Sequence, residues 1–311
     1  MSINQFLNKK IRIFLILLIT IVIFLVIFSQ IDFFSVVGIL SRSNIWLLSI
    51  MVVLELIAIL IKTRRWQIIL KSIGCKIPFK ECFHVVMATF PLLPITPSKS
   101  GDLIKTLYLK GKFPAGKTIG SILTERILDV LFLILLALIG LIFYPITEVL
   151  IIIIIILIAL FSLFLIQNFR IKLPIKKSWN DKIRDVFSSL KILPKKPNLF
   201  FILSVYSIIF WFIAVVQMIL LFSALGIDVP LFFIMANIPI AILIGQIPVT
   251  LGGMGTRDSA IILLFSEYAK PAELLGVGIL FSFFRYWLLA LIGIPFMKKY
   301  IKFKNKLNLS V

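Results

Sequence analysis

With 311 residues, 61% of them hydrophobic, and a mean hydropathy of +1.14, the chain is too apolar for a soluble domain. No segment is polar and long enough to fold alone in water, so residues 1–311 are read as one integral membrane domain. The formal charge of +20 would suggest nucleic acid for a soluble protein, but here Lys and Arg gather between apolar runs, where they set orientation and face anionic headgroups, which excludes a nucleic-acid partner.

The first apolar run, 11–28, has Lys9, Lys10 and Arg12 at its start, as a signal peptide would. It is about as long as a span, however, and continues as Ser29-Gln30-Ile31-Asp32 with no small-residue cleavage site, which predicts an uncleaved anchor leaving the cytoplasm. Span two, 45–62, returns. Lys62, Arg64, Arg65, Lys71, Lys76 and Lys80 mark the inside, with Arg64, Arg65 and Trp66 as an interfacial anchor. Cys75 and Cys82 fall in or beside this basic loop. Without CxxC spacing, and with His84 the only histidine, neither a disulfide nor a metal site is expected, and no cofactor.

An arm over 79–93, with His84 as a packing residue, then leads to Pro94-Ile95-Thr96-Pro97-Ser98-Lys99-Ser100-Gly101-Asp102, and a second arm over 102–110 leads back to Lys110, Lys112 and Lys117. Each arm is too short to span, so a re-entrant hairpin opening to the cytoplasm is predicted. Span three covers 119–143 and span four 149–167. The basic loop 169–198 follows, in which 178–192 patterns as an amphipathic surface helix with Trp179, Ile183, Val186, Phe187 and Leu190 on one side. Span five covers 199–223. A second hairpin has arms over 230–246 and 257–268 around Pro248-Val249-Thr250-Leu251-Gly252-Gly253-Met254-Gly255-Thr256-Arg257-Asp258. Span six covers 273–296, and Lys298, Lys299, Lys302, Lys304 and Lys306 put the C-terminus, like the N-terminus, in the cytoplasm.

The prediction is therefore an all-α polytopic protein of six transmembrane helices and two re-entrant hairpins in the cytoplasmic membrane. Residues 1–147 and 148–311 form an inverted repeat, the first hairpin opening inward and the second outward. Paired broken helices in two halves are the sequence signature of a transport site at the bilayer midplane. Non-helical backbone at that depth must line protein or a wet cavity, and a helix N-terminus there offers free N–H groups to an oxyanion. Ser98, Lys99, Ser100, Gly101 and Asp102 on one tip, and Gly252, Gly253, Gly255, Thr256, Arg257 and Asp258 on the other, are the candidate substrate-binding residues, with Lys99 and Arg257 as phosphate-facing cations. The competing reading is two ordinary helix breaks with Ser and Asp as N-caps.

Charges inside spans are expensive and normally face the bundle interior and pair. Glu125, Arg126 and Asp129 lie on span three, with Glu125 and Asp129 on one face. Arg285 lies on span six, opposite Arg126 under the repeat, and Glu55 and Gln217 sit mid-span on two and five. Glu125, Arg126, Asp129, Arg285 and Glu55 are read as intramembrane ion pairs, structural or gating, with Arg126 and Arg285 paired to Glu125, Asp129 or Asp102. Neither HExxH, GxSxG nor a phosphate-binding P-loop is present, so no catalytic residue is assigned.

Arg65-Trp66, Pro94-x-x-Pro-Ser-Lys-Ser-Gly-Asp-x-x-Lys105, Thr118, Thr124-Glu125-Arg126-x-x-Asp129 and Pro248-x-x-x-Gly-Gly-x-Gly-x-Arg-Asp258 together resemble the lysylphosphatidylglycerol synthase transmembrane-region family of flippase-like membrane proteins over nearly the whole chain. In that family Lys99 and Lys105 are commonly arginines, and Asp102 and Asp258 often glutamates. The resemblance implies a flippase that carries an anionic, phosphate-containing lipid, aminoacylated or polyprenyl-linked, between leaflets. In bacterial relatives the domain is fused to a soluble aminoacyltransferase. The sequence ends at Val311 without one, so a stand-alone membrane domain that is not an enzyme is expected. The alternatives are a membrane-embedded lipid- or polyprenyl-phosphate transferase and an accessory subunit of envelope glycan or lipid assembly. Membrane lipids are the expected partners, with a homo-oligomer or a separate lipid-modifying enzyme as the protein partners this reading leaves open.

Overall fold

The computed structural model describes residues 43–96, 100–145, 177–247 and 249–297, together with 38, 41, 147, 150, 151 and 153–158. Predicted span one lies outside the described residues, as does most of span four. Four described helices are long and apolar enough to cross a membrane: α1 (Ile45–Ser72), α4 (Ala115–Phe143), α6 (Pro197–Ala224) and α9 with its continuation (Pro271–Met297). They match predicted spans two, three, five and six. The first hairpin has α2 (Phe79–Met87) and a 3₁₀ turn (Phe90–Leu92) before its tip, and a 3₁₀ turn (Ser100–Leu103) and α3 (Ile104–Tyr108) after it. The second has α7 (Leu231–Ile244) and α8 (Thr256–Leu264). Nine residues make about 14 Å of helix against a hydrocarbon layer of about 30 Å, so α2 and α8 cannot span.

Proline sets most helix starts. Pro78, Pro114 and Pro230 immediately precede α2, α4 and α7, while Pro197 and Pro271 open α6 and α9. A proline at this position loses no helical hydrogen bond and presets the backbone. At α9 the Glu273 carboxylate also accepts the Lys270 N–H at 2.8 Å. Within Pro271–Met297, residues Phe283–Leu288 are π-helical, and this turn carries Arg285. Such one-turn bulges re-aim the side chains that follow them.

Span two is longer than the sequence pattern gives. Its apolar run ends at Lys62, but α1 continues to Ser72 and closes in a glycine cap: Gly74 takes φ 84°, its N–H donates to the Lys71 carbonyl at 3.2 Å, and the Cys75 N–H donates to the Leu70 carbonyl at 2.8 Å. Cys75 and Cys82 are free thiols, both buried, and burial pushes the Cys75 thiol up from its ordinary value.

The chain forms two compact units. One comprises 1–55, 90–101 and 214–291, the other 56–89, 102–213 and 292–311. In the first, α7 packs on α8 and α8 on α9. Phe265 sits between Phe222 and Phe233, at 4.8 and 5.3 Å between ring centres. In the second, the amphipathic segment expected on the surface is a helix, α5 (Lys177–Leu190), that packs on α4. Contact is so close that a Cβ on Gly120 would lie 2.5 Å from that of Ser189. His84 stacks edge-on against Phe296, with ring centres 5.0 Å apart, a packing role as expected.

Candidate functional site

Both tips belong to the first unit, and they meet backbone to backbone: the Gly252 N–H donates to the Thr96 carbonyl at 3.4 Å. Thr96 also organises its own tip. Its Oγ1 donates to the Leu92 carbonyl at 2.6 Å and accepts the Gly101 N–H at 3.0 Å. On the second tip the Gly255 N–H donates to Asp258 Oδ2 at 3.0 Å, and the Thr256 hydroxyl lies 3.1 Å from that of Thr250. The tip amides of Gly101, Gly252 and Gly255 are thus engaged by protein acceptors and do not form the open oxyanion nest expected of them.

The glycines answer to space. A Cβ on Gly101 would lie 2.9 Å from the Leu92 carbonyl carbon. Gly253 takes φ 77°, and its Cβ would stand 2.2 Å from the Gly245 carbonyl oxygen. Gly253→Ala combines a left-handed penalty with a backbone clash and is expected to destabilise the protein by about 3 kcal/mol. Gly74→Ala, with φ 84° but open space around the site, isolates the first effect and should lose about 1 kcal/mol. Thermal unfolding in detergent separates the two variants; equal losses would refute the packing argument.

Arg257 is bonded within the protein. It is 2% exposed; its Nε and Nη2 donate to Asp258 Oδ1 at 3.1 and 2.6 Å, and Nη2 reaches the Gly278 carbonyl at 3.3 Å and Ser282 Oγ at 2.5 Å. Its guanidinium lies 4.7 Å from the Phe281 ring centre. Nearby in the same unit, Gln217 Nε2 donates to Glu55 Oε2 at 2.8 Å, and Arg285 Nη1 donates to Glu55 Oε2 and Gln217 Oε1, both at 3.2 Å. Arg285 is therefore paired with Glu55, where the sequence reading named Glu125, Asp129 or Asp102. Ser100 is exposed, Gly101 buried, and Ser98 and Lys99 lie outside the described residues.

The second unit holds a larger charge cluster. Arg65 stands at its centre: Nη1 is 2.7 Å from Asp129 Oδ1 and donates to Ser207 Oγ at 2.9 Å, while Nη2 is 3.2 Å from Glu125 Oε1. Lys105 Nζ reaches Glu125 Oε2 at 3.0 Å and Asp102 Oδ1 at 3.3 Å. Lys62 Nζ is 4.0 Å from Asp102 Oδ1. Arg126 pairs with Asp102 and lies 3.9 Å from Asp129 Oδ2. Trp66 closes one wall, its Nε1 donating to Ser121 Oγ at 3.1 Å and its ring lying 4.8 Å from Lys105 Nζ. Arg65 and Trp66, expected as interfacial anchors, are fully buried, because α1 carries them past the end of the apolar run into contact with α4 residues. Arg64 alone of that trio is exposed. Arg65 and Lys105 have no exposed side-chain surface, whereas the Arg126 side chain is 23% exposed. Four cations surround three carboxylates.

The shared face predicted for Glu125 and Asp129 is what lets both meet Arg65. Ser207 and Ser282 were not singled out by sequence reasoning, and Lys62 and Lys105 were named only as an inside marker and as the end of the family motif, with no site role. One signal pointed at Ser207. α1 and α6 each run 28 residues; Glu55 and Arg65 stand ten and twenty residues after Ile45, as Ser207 and Gln217 do after Pro197. Asp129 and Arg285 each stand fourteen residues after the first residue of α4 and α9. In the first unit Glu55, Gln217 and Arg285 meet; in the second Ser207, Arg65 and Asp129 meet. Each trio holds one cation, one acid and one neutral polar group at matching positions.

A protein family described as the lysylphosphatidylglycerol synthase TM region matches residues 13–293. The chain is also similar to the UPF0104 membrane protein MJ1595 of Methanocaldococcus jannaschii, 25% identical over 286 residues, which is 83% of this chain and 85% of that one. A UPF0104 membrane protein of Methanothermobacter thermautotrophicus is 22% identical over 278 residues, 78% of this chain and 82% of the relative.

Proposed function

The chain belongs to the lysylphosphatidylglycerol synthase TM region family, and from that premise we propose that it moves an anionic, phosphate-bearing lipid across the bilayer. The observation that carries this reading is the buried cluster of Lys62, Arg65, Lys105 and Arg126 around Asp102, Glu125 and Asp129. A group of charges inside a membrane protein has a functional role as its default reading. Arg126, the most exposed member, is the cation positioned to receive an anionic headgroup.

The matching trios on α1, α6, α4 and α9 support an inverted repeat of residues 1–147 and 148–311. That arrangement is common among carriers that use broken helices. Both termini are assigned to the cytoplasm on the distribution of Lys and Arg. A transferase working from the same cluster would need a carboxylate able to accept a proton from substrate. Both oxygens of Glu125 are already engaged, Oε1 by Arg65 and Oε2 by Lys105, which favours the carrier.

The test is reconstitution into vesicles with fluorescent phosphatidylglycerol or phosphatidylcholine, following exposure of the label to an external quencher. The wild type should move the anionic lipid faster than the zwitterionic one. Arg126→Ala should slow it tenfold or more, the equivalent of one charged hydrogen bond. The fold should survive, since Asp102 keeps Lys105 and Lys62 as partners. Equal movement by wild type and Arg126→Ala, or none above empty vesicles, refutes the proposal.

A further inference from the structure

At the basic end of α1 lies a pocket of about 390 Å³, lined by Gln67, Lys71, Lys76, Ile77 and Pro78. It is separate from the buried cluster and shares no residue with it. The glycine cap at Gly74 turns the chain back, and Gln67 fastens the returning segment: its Nε2 donates to the Ile77 carbonyl at 2.9 Å. Gln67 is itself held, with Oε1 accepting from Arg64 Nη1 at 2.6 Å. These two bonds fix a concave wall with Lys71 on the helix and Lys76 on the loop, both exposed, and Ile77 and Pro78 as an apolar floor.

Among the described residues no carboxylate lines the pocket, and Glu81, three residues beyond Pro78, is paired with Lys112 at 2.5 Å. Two ammonium groups therefore share one concavity without a counter-charge among the described lining residues. Depth adds to the argument. A 28-residue helix is about 42 Å long and exceeds the hydrocarbon layer of about 30 Å, so its last turns, with Gln67 and Lys71, reach headgroup level.

We infer that this pocket binds a phosphate group, that of an anionic lipid headgroup or free phosphate from solution, with Lys71 and Lys76 as its cations. The volume leaves room for a glycerol moiety beyond the phosphate, and the apolar floor suits the start of an acyl chain. The inference does not rest on lipid transport: a phosphate held here is bound whether or not any lipid crosses the membrane.

The test uses the full chain in detergent micelles, titrated with phosphatidylglycerol, phosphatidylcholine or inorganic phosphate and read by native mass spectrometry. Neutral substitutions are preferred, because charge reversal beside a span can disturb insertion. Lys71→Ala with Lys76→Ala should weaken phosphatidylglycerol binding about thirtyfold, the product of two lysine contributions near a charged surface. Lys195→Ala with Lys196→Ala removes two exposed lysines elsewhere and should change binding less than threefold. If inorganic phosphate binds the wild type and competes with the lipid, but fails to bind the Lys71/Lys76 pair, the phosphate site stands and is open to solution. If only the lipid binds, the site stands as a lipid site. Equal weakening by both lysine pairs, or phosphatidylcholine binding as tightly as phosphatidylglycerol, overturns the inference.

Discussion

Replacing Arg65 by alanine is expected to destabilise the protein by about 3–5 kcal/mol and to leave little of it folded. Glu125 and Asp129 both face its guanidinium, and neither is solvated. Removing a cation from such a group forfeits more than the pair's attraction, because the carboxylates stay buried. Glu125 would retain Lys105, but Asp129 would be left with Arg126 at 3.9 Å, and Ser207 would lose a donor. Arg65→Lys keeps the charge without the planar fork that reaches two carboxylates and a hydroxyl, and should fall between alanine and wild type. Arg64→Ala removes the same charge one residue earlier from an exposed position and should lie within about 0.5 kcal/mol of wild type. Midpoints of thermal unfolding in detergent, with the monodisperse fraction after extraction, rank the four proteins. An Arg65→Ala protein as stable as Arg64→Ala would mean that the cluster is solvated, and the anion site built on it would fall with it.

Periodicity and hydropathy reveal where the chain crosses and where it breaks, since those features are written in consecutive residues. The bounds of α4, α6 and α9 and the short arms around both tips are legible in this way. Partner identity is not. Lys62 ends an apolar run and so reads as a loop marker, yet α1 continues because Thr63, Arg65 and Trp66 are buried against other segments. Lys105 and Glu125 are twenty residues apart and Arg65 and Glu125 sixty apart, separations at which no local pattern links them. The tip glycines show the opposite failure. A glycine-rich turn before a helix reads equally as an anion nest or as a place where two backbones nearly touch, and only the carbonyl of Gly245 against Gly253 distinguishes them. The ten-residue spacing shared by α1 and α6 could have been found without coordinates. It joins Arg65 to Gln217 and Glu55 to Ser207, residues of unlike charge that a search for identical motifs passes over.

Arg257→Ala should destabilise the protein by about 3–5 kcal/mol, and the joint replacement Arg257→Met with Asp258→Asn should recover most of that loss. The sequence presents Arg257 as a cation for a bound phosphate, whereas its guanidinium is occupied by Asp258, the Gly278 carbonyl and Ser282. If its role is to neutralise Asp258, the single variant leaves a buried carboxylate that also anchors the Gly255 N–H. The joint change removes both charges, and the Asn oxygen can still accept that bond. Gly278 adds a constraint, because its missing Cβ would stand 2.7 Å from Asp258 Oδ1; the pair fits only against a glycine on α9. Stability and lipid movement measured on the same three proteins distinguish the two roles. A structural pair predicts that both properties fall in Arg257→Ala and return together in the joint variant. A phosphate-binding arginine predicts that stability returns while movement of the anionic lipid stays lost, and that outcome would restore the tip as the substrate site in place of the Arg126 cluster.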